Sequence, residues 1–94
     1  SRRATAVAGV TARARNAIAN VQAARRRVEA LEATAVPEAA EALQLATRSY
    51  AEGRATLLEL LDAQNAYTVT RTALTDARLA LALATAELGR IAAR

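Results

Sequence analysis

Tyr50–Gln64, reading YAEGRATLLELLDAQ, decides how this chain folds. Gly53 follows a long run of helix-favouring residues, and a glycine there supplies the left-handed residue that closes a helix at no steric cost. The first helix is therefore expected to stop near Glu52. Thr56 and Glu59 then form a T-x-x-E pattern, in which the hydroxyl takes a free backbone N–H and the carboxylate reaches back to the cap. A second helix is expected to begin there. So few residues join the two helices that they must run antiparallel and lie side by side. Arg54 falls on the turn, and Glu59 and Asp62 fall in the first helical turns beyond it.

Upstream of the turn, over about residues 3–52, Val7, Ala14, Val21, Val28, Ala35 and Ala42 recur every seventh position. Val10, Ala17, Ala24, Leu31 and Leu45 fill the companion position, with only Glu38 out of pattern. This is an a/d seam of the coiled-coil kind. Arg13, Arg15, Asn16, Asn20, Gln22, Arg25 and Glu29 lie between the seam positions and read as an exposed face. Unbroken, about fifty residues at about 1.5 Å rise make a rod of about 75 Å. Pro37 interrupts this arm, and a proline inside a helix removes one hydrogen bond and clashes with the preceding turn. The expectation is a kink in a nearly continuous helix, the alternative being two separate helices.

Downstream, over about residues 56–90, Leu60, Tyr67, Leu74, Leu81 and Leu88 form a matching row, with Ala63, Thr70, Ala77, Ala84 and Ile91 as companions. An alanine-lined seam facing a leucine-lined one allows close approach. The fold class is all-α: a long antiparallel helical hairpin of coiled-coil type, turning at about Gly53. A second stripe, Leu58, Leu61, Val69, Leu79, Leu83 and Ala86, lies away from the seam and is left exposed in a lone hairpin. It predicts packing against a further helix on the other side, in a bundle or a closed ring. Gly89 is expected to mark the end of this arm.

Composition narrows the function classes. Among 94 residues there are 28 alanines and no phenylalanine, tryptophan, methionine, cysteine or histidine. Alanine favours helix but buries little area, so stability has to come from long helix contacts. Without cysteine or histidine, thiolate and imidazole metal sites are excluded, and no nucleophile-and-base constellation of an enzyme exists. The charge of +4 reads first as an arginine-rich solvated surface. Two tyrosines and a single tight cluster, Arg25, Arg26 and Arg27, are poor equipment for nucleic acid. No apolar run approaches the roughly 20 residues that span a bilayer. No cofactor is expected, and the chain reads as a fragment of something larger.

The tip segment and the following NAYTVTRTALTDARLALALATAELG resemble the last helical hairpin of the TolC-like outer-membrane efflux proteins. The matching positions are Tyr50, Gly53, Leu57, Leu58, Leu60, Leu61, Asp62, Ala63, Gln64, Arg71, Ala77, Leu88 and Gly89. The amino-terminal arm is similar through its helical period alone. The resemblance implies a homotrimeric conduit with a β-barrel in the outer membrane and a helical tunnel in the periplasm. This segment would then be one tunnel hairpin, not itself membrane-spanning, with its turn at the narrow periplasmic entrance. An adaptor protein docks there, linked to an inner-membrane pump. It also implies aperture and gate roles for Glu59, Asp62 and Tyr50. The basic residue that some members carry two after the glycine is Ala55 here, and Arg54 is the adjacent basic residue. The PEAAEALQLA run is similar to members paired with heavy-metal exporters.

From position alone, Glu59 has a ready role as the capping acid and Asp62 suits the positive end of a helix dipole. Their three-residue spacing also puts both on one helix face. Three copies around an axis would then stack rings of negative charge able to pass or hold cations. The alternative to a channel segment is a structural coiled-coil interaction hairpin not linked to transport.

Overall fold

The computed structural model describes residues 1–93. Helix α1 spans Arg2–Ala30, a π-helical segment spans Leu31–Ala35, α2 spans Val36–Ala51 and α3 spans Leu57–Ala92. No strand occurs among the described residues. The backbone stays helical through both junctions of the π segment, at Leu31 (φ −71°, ψ −44°) and Val36 (φ −66°, ψ −49°), so α1 and α2 form one continuous arm. Helix α3 packs back along both, giving a rod of 74 × 17 × 14 Å. The molecule is the all-α antiparallel hairpin that the tip sequence and the two seams imply.

On α3 all ten seam positions turn inward. Leu60, Leu74 and Ala77 are buried, and Ala63, Tyr67, Thr70, Leu81, Ala84, Leu88 and Ile91 are half-buried. Facing them on α1 are Ala17, Val21 and Val28, all buried. The densest packing lies midway, where Val28, Leu74 and Ala77 form a cluster with Leu31, Val36 and Leu81 against it. The core is one side chain deep, as a seam of alanine and valine against leucine dictates. Such a hairpin relies on the length of its zipper.

The first arm departs from expectation at both ends. Val7 and Val10 are 61 % and 52 % exposed, because α1 extends past the last turn of α3 and nothing described lies opposite them. Beyond Ala35, which is still half-buried, the anticipated seam fails: Ala42 and Leu45 are exposed, while Val36, Ala39, Leu43 and Ala46 are half-buried. The cause is the π segment. The Val36 N–H donates to the Leu31 carbonyl, five residues back, so this turn holds one residue more than an α-turn. The seam skips one position and runs Val28, Leu31, Val36, Ala39, Leu43, Ala46.

Pro37 supplies the physical reason. In an uninterrupted helix its ring would meet the Ala33 carbonyl four residues back, and it has no N–H to offer. Widening the turn just before it relieves that clash while keeping the arm whole. Glu38, the misfit of the simple heptad, becomes an exposed residue. An ion pair ties the widened turn across to α3, with Arg78 Nη2 3.3 Å from Glu32 Oε1.

Gly89 does not end the second arm. Helix α3 continues through Ala92, with Ile91 half-buried, and among the described residues the only glycine with positive φ is Gly53.

Candidate functional site: the hairpin tip

Helix α2 closes at Glu52, and Gly53 follows with φ 74°. The Gly53 N–H donates to the Tyr50 carbonyl (3.0 Å) and the Arg54 N–H to the Ser49 carbonyl (2.8 Å). These two bonds define a Schellman motif, which satisfies carbonyls the helix end leaves free. The Ala55 N–H also reaches the Ser49 carbonyl, at 3.1 Å. Four residues after Glu52, α3 is already capped, so the tip is tight and its side chains have defined origins.

The start of α3 is a complete capping box. Thr56 is extended (φ −81°, ψ 162°), its Oγ1 accepts from the Glu59 N–H at 3.1 Å, and Glu59 Oε2 accepts from the Thr56 N–H at 3.1 Å. Glu59 is thereby held at the N-terminus of α3, one carboxylate oxygen spent on the cap, with the residue still exposed. Asp62 lies three residues on, about 60° around the helix, also exposed. The two acids share one side of the helix start, where the positive end of the helix dipole favours anions. Glu59 is the more constrained of the two.

Arg54 is paired with Glu52 across the turn, both side chains largely exposed. That partner was not anticipated from sequence, although an acid two residues from an arginine in a tight turn is a readable signal. Tyr50 sits on the last turn of α2, 43 % exposed. Higher up, Arg71 stacks on the Tyr67 ring, 5.9 Å from its centroid, and its Nη1 lies 3.3 Å from the Tyr67 hydroxyl. Tyr67 flanks an open groove lined also by Leu43, Gln44 and Arg48 of α2.

Tyr50, Gly53, Arg54, Thr56, Glu59 and Asp62 are therefore brought to one end of the rod. No group of three or more potential metal-ligating side chains occurs among the described residues. No described helix is long and apolar enough to cross a membrane. The long face of α3 opposite its seam stays open, with Leu58, Leu61, Val69, Leu79 and Leu83 between 50 % and 67 % exposed.

The hairpin thus has one zipped face and a second, open apolar face along the same helix. The chain belongs to the outer membrane efflux protein family, whose model matches residues 1–94. It is part of an outer membrane efflux channel and not an enzyme, which sets aside the reading as a scaffold unrelated to transport. No curated protein and no solved structure matches it.

Proposed function

We propose that this hairpin is a periplasmic wall element of a homotrimeric efflux tunnel, with its tip forming the gated entrance where a periplasmic adaptor docks. The observation that carries the reading is the open apolar stripe of α3. A helix in a closed ring of helices has neighbours on two sides and needs two apolar faces, whereas a free hairpin needs one. The stripe begins at Leu58, directly beside the tip acids, so the wall and the entrance are built from the same helix.

At the entrance, three copies of Glu59 and Asp62 form two stacked rings of carboxylates that attract cations and set the selectivity of the closed mouth. Tyr50 and Arg54 lie at the rim and supply links between neighbouring tips, with Arg54 exchanging its local partner Glu52 for an acid of the next hairpin. An inner-membrane pump delivers cargo through the adaptor. The PEAAEALQLA run of α2 favours a heavy-metal exporter as that pump.

The test is conductance of the full-length channel in planar bilayers. Glu59→Gln keeps the capping box, since glutamine fills the same role, and Asp62→Asn keeps the side-chain shape, so the pair removes charge without removing the fold. Reduced cation preference and weaker block by divalent cations are expected. Unchanged selectivity and block would remove the two acids from the pore.

A further inference from the structure

We infer that α2 is a two-position rotor, able to present either of two apolar edges to α3, with the π segment as its pivot and Pro37 as the residue that selects between them. The engaged edge is Val36, Ala39, Leu43 and Ala46, all half-buried. One residue back lies a second edge, Ala35, Ala42 and Leu45, which is the uninterrupted heptad continuation of Val28 and Leu31 and shares its half-buried first residue, Ala35, with the π segment. Ala42 and Leu45 are exposed, Leu45 at 61 %. One residue corresponds to about 100° around a helix, so the edges are adjacent but distinct.

In changing from one to the other, the Val36 N–H gives up the Leu31 carbonyl and the wide turn becomes an ordinary α-turn, Val36 leaves the cluster it packs against, and the tip bonds at Ser49 and Tyr50 adjust to the turned helix. The arm lengthens by about 1.5 Å and α2 turns by about 100° relative to α1. The Val28, Leu74 and Ala77 cluster lies on the α1 side of this turn and holds the arms together while it happens. The link across the pivot is the exposed Glu32–Arg78 pair, and pairs so exposed hold weakly. Besides the larger side chains of Val36 and Leu43, two features favour the engaged edge. Pro37 needs the widened turn, and the alternative would carry Glu38 towards the seam.

Two packings of one sequence separated by a discrete register step make a bistable element. Rotation of α2 carries Arg48 and Tyr50, which lie on its last turn, around the arm axis and changes the side of the tip that they face. The rotor is argued from the hairpin alone and does not depend on the gate reading of Glu59 and Asp62.

The chain has no cysteine, so single cysteines report accessibility cleanly. In the wild-type background the A42C thiol should react quickly with a maleimide and the A39C thiol slowly. Pro37→Ala removes the clash and adds a hydrogen-bond donor, so the helix persists and the second edge becomes accessible. A39C labelling should then rise, and A42C labelling fall, by at least about tenfold, as expected when the bias imposed by a proline inside a helix is lifted. Deleting Thr34, an exposed residue of the π segment, gives an unbroken helix in the original phase. Combined with Pro37→Ala, the deletion should restore A39C protection. Opposite changes reversed by the deletion support the rotor. Rates that stay unchanged in Pro37→Ala, or rise together as in fraying, overturn it and leave the Ala42–Leu45 edge as a surface for another helix.

Discussion

Replacing Gly53 by L-alanine isolates the one backbone position the hairpin cannot relax. The residue has φ 74°, and an added Cβ would meet no atom within 4 Å, so no steric clash with a neighbour contributes. The whole effect is the intrinsic preference of an L-residue against the left-handed region, about 1–2 kcal/mol. For a domain of this size each kcal/mol lowers the melting temperature by about 4–8 °C. The measurement is far-UV circular dichroism of the 94-residue chain, heated at a concentration where the transition no longer depends on dilution. D-alanine at the same position, introduced by ligation of synthetic segments, has the handedness the turn requires. It should match glycine or exceed it by about 0.4–1 kcal/mol through a less flexible unfolded chain. Gly9 and Gly89 provide the contrast: both are in helices, with open space around them, so alanine there should stabilise by about 0.5–1 kcal/mol. An L-alanine at position 53 that leaves the melting point unchanged would refute the reasoning. So would a D-alanine as destabilising as its mirror image.

The cap of α3 should separate by chemistry. Thr56→Ala leaves the Glu59 N–H without its acceptor and should cost about 1 kcal/mol in chemical denaturation, while Glu59→Gln should be close to neutral. Equal losses for both would mean that charge, not capping geometry, holds the helix start. Along α3, Leu74→Ala at the centre of the core cluster should destabilise by about 2–5 kcal/mol. Leu83→Ala, at a side chain 62 % exposed, should stay within about 0.5 kcal/mol in the isolated hairpin and become damaging only in the assembled channel. A large loss at Leu83 in the isolated, monomeric chain would show that its face is already covered.

The turn and the second arm were legible because their signals are local. Gly53 needs only its own dihedral angles, Thr56 and Glu59 only each other, and the seam of α3 runs from Leu60 to Ile91 without a proline or a skipped residue. Position 59 illustrates a limit: its acid was readable as both a cap and a pore charge, and the folded chain commits one oxygen of it to the Thr56 N–H without excluding the other use. Arg54 was placed on the turn, but its pairing with Glu52 depends on how a Schellman turn folds two neighbouring side chains together.

What the amino-acid sequence by itself determined is the hairpin: where it bends, how the first arm closes and the second opens at the tip, and which face of α3 is zipped. The phase of α2 was decided only by tertiary structure. Its residues offer two apolar edges one position apart, and helical period alone favours Ala42 and Leu45 because it assumes an unbroken heptad. Against α3 the chain instead half-buries the bulkier Val36 and Leu43 and absorbs the extra residue in a π turn that also spares Pro37 its clash. That choice compares a local backbone distortion with packing against residues of α3 that lie well outside the local sequence, Tyr67 for Leu43 and Leu74 for Val36, and only the packed pair of arms makes the comparison.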